Sequence, residues 1–244
     1  MEKELEMLKA QVKSVMLDDK IFEVRFGEDR IVFGAIKNKD GEKEPDLFSF
    51  KTIYESIYDA HLKINLSFYS ACEYNLIELS KKHSFIKPRD EDEKMAEYFI
   101  ENMAFRVSIL WDLLAQLYNE LWQINIPIDK LYYSRFFNNE AEKEPCNFIA
   151  KRIHDYLIEE DDTTDDTKHW KGNHTYLVDY RDKMTHRNSP NISTISGFDR
   201  NLRLPAIFSL KRITEDYLQV LEYIQEAVDE IRKYIESRGG ELCL

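Results

Sequence analysis

Met95–Leu121 reads MAEYFIENMAFRVSILWDLLAQLYNEL, and the spacing of its apolar residues decides the class of fold. Met95, Phe99, Met103, Val107, Leu110, Leu114, Leu117 and Leu121 recur at steps of three and four, the period of one face of an α-helix. The last long segment repeats the rhythm with Ile213, Tyr217, Val220, Ile224, Val228, Ile231 and Ile235. Phe50 to about Lys82 reads as a third long helical stretch with room for a kink. Cys146–Leu157 reads as a shorter helix with Phe148, Ile149, Ile153 and Leu157 inward, and Trp170–Arg187 as a further one. Helices are therefore expected near 50–82, 89–124, 146–158 with 170–187, and 206–238. The chain has only seven glycines and six prolines, and Pro45, Pro88, Pro145 and Pro205 stand just before or at the start of helix-like stretches, where a missing N–H costs little.

The first 47 residues read differently. Leu5, Leu8, Val12 and Val15 predict an opening helix, and the β-rich runs Ile21–Phe26 and Ile31–Ile36 flank the turn Gly27-Glu28-Asp29-Arg30, which reads as a small hairpin. The expected fold is all-α, a long-helix up-and-down bundle over 48–244 with residues 1–47 as an accessory helix-and-hairpin segment.

The 244 residues carry 43% hydrophobic and 13% aromatic side chains, enough for a sizeable core. No run of about 18 apolar residues occurs, so no membrane span is expected. The opening Met1-Glu2-Lys3-Glu4-Leu5-Glu6 lacks the apolar centre of a signal peptide, and a cytoplasmic location is expected. Cys72, Cys146 and Cys243 are far apart and odd in number, as expected of thiols in a reducing compartment rather than of a disulfide framework or zinc site. The net charge of −12 argues against a broad, sequence-blind nucleic-acid binder. Charge is nevertheless segregated. Seven Lys/Arg stand against two Asp between Arg181 and Arg212, while Asp155–Lys168 holds seven acids and one Lys.

Several patterns invite a chemical reading. Asp161, Asp162, Asp165 and Asp166 lack the ligand spacing and glycine of a calcium loop, and read as a solvated connection. His169 and His174 match no zinc spacing, and a surface or capping role is expected for both. No metal and no cofactor is expected. Asp112, Gln116, Asn119 and Glu120 form a polar set beside the apolar stripe. It reads either as a solvent face or as a buried polar seam orienting a neighbouring site. The run Tyr180-Arg181-Asp182-Lys183-Met184-Thr185-His186-Arg187-Asn188 crowds basic and polar groups at a helix end, because Ser189-Pro190 disfavours continuing the helix. In a straight helix Arg181 and His186 lie about 140° apart. They converge only if the last turn opens or if a second copy of the chain supplies the partner group.

Arg181-Asp182-Lys183-Met184-Thr185-His186 resembles the Arg-x4–6-His motif of the HEPN superfamily, including its polar residue directly after the arginine. Trp111-Asp112-Leu113-Leu114-Ala115-Gln116-Leu117-Tyr118-Asn119 is similar to a helix of stand-alone bacterial members of that group. The resemblance spans roughly residues 49–238. It implies a helical bundle that pairs as a homodimer with the two motifs at the interface, and a metal-independent endoribonuclease acting on single-stranded RNA. In that setting Arg181 would bind the scissile phosphate and His186 would act as general base or acid. Asp182 would orient them, Asp112 and Asn119 would stand behind them, and Lys183, Arg187 and Asn188 would contact substrate. It also implies an antitoxin or regulatory protein as partner, in a toxin–antitoxin or defence role. Two other readings stand beside it: a HEPN-like nucleic-acid- or protein-binding module without turnover, which the net charge favours, and an unrelated helical bundle.

Overall fold

A computed structural model describes residues 2–17, 24–25, 35–37, 43–162, 170–186, 189–195, 200–237 and 241–242. The protein is mostly helical. In chain order the described elements are α1 (Glu2–Ser14), β1 (Val24–Arg25), β2 (Ala35–Lys37), β3 (Lys43–Asp46), α2 (Leu47–Glu73), α3 (Leu76–Lys82), α4 (Glu91–Leu121), a 3₁₀ turn (Ile128–Lys130), α5 (Tyr133–Ala141), α6 (Phe148–Leu157), α7 (Asn173–His186), β4 (Thr194–Ile195), β5 (Arg200–Asn201), α8 (Ala206–Ser237) and β6 (Glu241–Leu242). None of the described helices is long and apolar enough to cross a membrane.

Two compact units share these elements: Met1–Val15, His61–Ile109 and His154–Gln219 form the first, and Met16–Ala60, Leu110–Ile153 and Val220–Leu244 the second. Helices α2, α4, α6 and α8 each contribute to both. The boundary expected after residue 47 falls where β3 meets α2, within the second unit.

The first unit has its core in Leu5, Leu8 and Val12 of α1, Ile64 and Phe68 of α2, Ile100, Met103 and Val107 of α4, Leu177 and Tyr180 of α7, and Leu210, Ile213 and Tyr217 of α8. Every residue of the α8 stripe read from the sequence is buried. The α4 stripe is shifted in phase at its start: Met95 is 40% exposed while Ala96, Ile100 and two glutamates, Glu93 and Glu97, turn inward. The glutamates are drawn in by cations. Arg203 binds Glu93, and Arg89 binds Glu97. A stripe drawn from apolar residues alone misses this. Asp90 caps α4 by accepting from the Glu93 N–H at 2.8 Å, the usual service of an aspartate before a helix. The kink expected between 50 and 82 is a full break. Helix α2 ends at Glu73 and Asn75 caps α3 by accepting from the Glu78 N–H at 3.2 Å.

The second unit is built on aromatic side chains. Trp111 and Tyr118 of α4 are buried, and Tyr118 stacks on Trp122 with centroids 4.4 Å apart and meets the edge of Phe137. Phe136 and Phe137 belong to α5, a nine-residue helix that shows no period in the sequence. In α6, Ala150, Ile153 and Leu157 are buried but Phe148, expected inward, is 82% exposed. Asn147 caps this helix by accepting from the Ile149 and Ala150 N–H groups, so Phe148 occupies the first turn, before the buried arc begins. Strand β1 lies within the first β-rich run of the sequence and β2 overlaps the end of the second, and the expected hairpin between them is not among the described pairings. Strand β1 pairs antiparallel with β6, and β2 with β3; residues 26–34, the expected turn among them, lie outside the described residues.

Candidate functional site

Helix α7 carries the Arg-x4-His run, and its start is set by one glycine. Gly172 has φ +68° and accepts the first helical bond from the Tyr176 N–H. An added Cβ there would stand 2.6 Å from the Asp161 backbone nitrogen. Gly172→Ala is therefore expected to lower stability by about 2 kcal/mol or more in a urea melt, from the left-handed backbone and the clash with another main chain. An unchanged midpoint would show that the 161–172 approach is easily relaxed. Asn173, 2% exposed, then donates to the Trp170 carbonyl at 2.7 Å and to Glu215 at 2.9 Å, fixing the helix against α8.

The helix runs unbroken to His186, so the last turn does not open. Arg181 is half-buried, and its Nη2 and Nε donate to Asp182 Oδ1 at 3.0 and 3.4 Å. Lys183 pairs with Asp179 at 2.7 Å. Thr185 donates its hydroxyl to the Arg181 carbonyl at 3.1 Å, tightening the final turn. Positions 181 and 186 lie about 140° apart around the axis. The side chain of His186 and all of Arg187 and Asn188 lie outside the described residues. So does His169.

Behind the motif is a polar network that no sequence pattern marks. Tyr180, next to Arg181, is 3% exposed, and its hydroxyl donates to Asn191 Oδ1 at 3.2 Å. Asn191 in turn donates to Glu101 of α4 at 2.7 Å. This side chain thus ties the segment leaving α7 to the helix that precedes it. The segment continues as an antiparallel pair, Thr194 opposite Asn201 and Ile195 opposite Arg200. Burial pushes the Tyr180 phenol well above its ordinary range. One turn along α4 from Glu101, Glu97 is 2% exposed and burial raises its carboxyl to about 7 against the opposing pull of Arg89. The folded state then binds a proton on Glu97 that the unfolded chain has already lost. Stability should fall as pH rises from about 5 to about 8, by on the order of 1–3 kcal/mol. Glu97→Gln should flatten that slope in denaturant titrations at fixed temperature. An equally steep slope in the variant would assign it to another group.

The other residues of the candidate set lie elsewhere. Asp112 and Asn119 belong to the second unit. Asp112 is half-buried, as are Gln116 and Glu120. Asn119 is 4% exposed, and its amide is engaged on both sides: Nδ2 donates to the Ile126 carbonyl and Oδ1 accepts from the Ile126 N–H, both at 3.0 Å. It closes the turn after α4, where Gln123 and Asn125 have positive φ and the Ile124 N–H returns to the Asn119 carbonyl in the manner of a Schellman cap. His174 corrects the surface role expected of it. It is 3% exposed, and its Nδ1 lies 3.3 Å from Asp216, which also accepts from the Tyr156 hydroxyl at 2.9 Å. Burial of the first turn of α7 against α8 explains this, since Asn173, His174 and Leu177 all face inward.

The basic field around the motif is also weaker than the sequence count. Arg203, Lys211 and Arg212 are buried and bound to Glu93, Glu4 and Asp161. The last of these pairs joins the basic run to the acidic one. Among the described residues no three His, Cys, Asp or Glu side chains gather as a metal-binding group. No family model, no curated protein and no solved structure matches this chain. The functional reading therefore rests on helix α7 itself: a half-buried arginine held by Asp182, and a histidine position closing the same helix.

Proposed function

We propose that this chain is a metal-independent endoribonuclease of the HEPN type, working as a symmetric homodimer on single-stranded RNA. The observation that carries the reading is that α7 holds Arg181 and His186 in one continuous run, with Arg181 only half-buried. A single straight helix does not aim both at one phosphodiester. Two copies about a twofold axis supply two of each group to a shared cleft. The long helices α2, α4 and α8, of 27, 31 and 32 residues, are consistent with the up-and-down bundle that belongs to this proposal.

The chemistry divides among the groups as follows. One His186 takes the proton from a ribose 2′-hydroxyl, whose oxygen attacks the adjacent phosphorus. The P–O5′ bond breaks, and the other His186 protonates the departing 5′-oxygen. The products are a 2′,3′-cyclic phosphate and a free 5′-hydroxyl. Arg181, whose planar fork matches two phosphate oxygens, exchanges its hold on Asp182 for the phosphate and offsets the charge that builds up in the transition state. Asp182 keeps the guanidinium oriented when no substrate is bound. Lys183, Arg187 and Asn188 contact the neighbouring phosphates. Asp112 and Asn119 belong to the second unit and take no part in this step, and the engagement of Asn119 with Ile126 favours a purely structural part for it. An antitoxin or regulatory protein that covers the cleft belongs to the same proposal.

A second reading, a HEPN-like binding module without turnover, is favoured by one observation: Arg203, Lys211 and Arg212 are neutralised inside the protein, which leaves less positive charge for a polyanion. A panel of single-stranded RNAs incubated in EDTA separates the two, with product ends identified by mass spectrometry and the oligomeric state read by light scattering. Cyclic phosphate ends from a dimer are expected. Cleavage that requires a metal, or a monomer at tens of micromolar, contradicts the composite site. Binding without cleavage across the panel moves the assignment to the second reading.

A further inference from the structure

The first unit contains a cavity that the ribonuclease reading does not use. Leu5 and Leu8 of α1, Trp170, and Pro205, Ile207 and Phe208 at the start of α8 wall a space of about 210 Å³. Its lining is apolar apart from Glu4, Ser80 and Lys211. Lys211 is 9% exposed, and its ammonium lies 3.8 Å from the Trp170 ring centroid. It binds Glu4 at 2.8 Å and stands 4.0 Å from Glu215. Glu215 is already committed, accepting from the Trp170 N–H and from Asn173. The Trp170 indole N–H, buried, finds no acceptor among the described residues.

We infer that this cavity is a binding site for a small monocarboxylate with a single-ring apolar body, held by Lys211 in place of Glu4. Four features of the site select that class. A cavity of about 150 Å³ lined by aliphatic and aromatic side chains takes benzene, so about 210 Å³ accommodates one ring and a carboxylate. Trp170 and Phe208 provide the aromatic faces. A monocarboxylate replaces the single charge that Glu4 now places on Lys211, whereas a phosphate would add a second charge to a space already bordered by Glu215. Lys211 lies 3.8 Å from the Trp170 ring centroid, which places its charge beside the aromatic face that a ring would use. The present occupant of Lys211 is also replaceable, because the Glu4 side chain is 29% exposed and regains water when displaced. The site stands independently of the ribonuclease reading.

Benzoate is the probe, and benzyl alcohol its neutral counterpart. Affinities are read by calorimetry and by quenching of Trp170, the other two tryptophans, Trp111 and Trp122, belonging to the second unit. Benzoate is expected to bind at least about tenfold tighter than benzyl alcohol. Glu4→Gln removes the competing carboxylate and should tighten benzoate several-fold while leaving benzyl alcohol unchanged, a direction that structural damage does not produce. Lys211→Met should abolish the preference for benzoate, and Ile207→Trp should block both ligands by filling the space. Thermal melts check that each variant folds. If Lys211→Met does not fold, Glu4→Gln decides the question. Equal affinities for the two probes, no benzoate binding at millimolar concentration, or no gain in Glu4→Gln would overturn the assignment.

Discussion

Replacing His186 with alanine is expected to lower RNA cleavage by about 10²–10⁴-fold, the usual cost of losing a general acid or base, with the thermal melt unchanged. His186 is the last residue of α7, so truncating it removes no interior helical turn. In a twofold-symmetric site the substitution deletes the acid and the base together, which favours the upper end of that range. Arg181→Ala should give a comparable loss. Arg181→Lys should recover little, because a point charge does not reproduce the planar contact with two phosphate oxygens. His154→Ala, at a half-buried position on α6, serves as the histidine control. His174→Ala does not, since His174 is buried against Asp216 and its loss would damage the fold. Single-turnover rates on one cleavable RNA, measured in EDTA, provide the comparison. Full activity in His186→Ala would end the acid–base assignment, whatever the fate of Arg181.

The largest effect on stability is expected at Arg212. This side chain is fully buried. Its guanidinium donates to the carbonyls of Lys171 and Gly172 at 3.1 and 2.8 Å, binds Asp161 at 2.8 Å, and lies 4.9 Å from the Tyr176 ring centroid and 5.7 Å from that of Trp170. Arg212→Ala leaves two carbonyls short of a donor and a gap among three rings, counting Phe208. A loss of about 3–5 kcal/mol is expected. Asp161→Asn should cost less, about 1–3 kcal/mol, because the exposed residue at 161 keeps an amide oxygen that can accept from Arg212 while the buried guanidinium loses its counter-charge. Urea denaturation of the two variants tests the asymmetry. Equal losses would mean that the ion pair, rather than the carbonyl bonds and ring contacts, holds Arg212 in place.

These two arginines were differently legible. Arg181 was singled out by its neighbours in sequence, and α7 carries it half-exposed as a helix-end residue. Arg212 was counted in the same basic stretch, yet it lies inside the protein and serves the turn that starts α7. Charge counted along a chain does not distinguish a solvated cation from one clamped by carbonyls. Burial decides that, and burial depends on residues far away in sequence. The same holds for Glu93 and Glu97, which entered no site reading because a glutamate in a helix ordinarily marks its wet face. Arg203, more than a hundred positions away, draws Glu93 inward. Helix α5 leaves no signal in the sequence, because nine residues with one adjacent aromatic pair do not display a period. Its Phe136 and Phe137 acquire meaning only against Tyr118 and Trp122.

The helical class, the extents of α4 and α8 and the start of α8 after Pro205 followed from sequence alone, because helical hydrogen bonds are local and a long amphipathic stripe repeats its signal many times. The location of the Arg-x4-His run at the end of a helix followed as well, from the Ser189-Pro190 dipeptide. The tertiary structure decided which charges are buried, which histidine is inside, and where the β-rich runs find partners. It also decided that Tyr180, Asn191 and Glu101 form one network, and that Trp170 and Lys211 share one cavity. Each of these depends on contacts between residues widely separated along the chain, for which local periodicity carries no record.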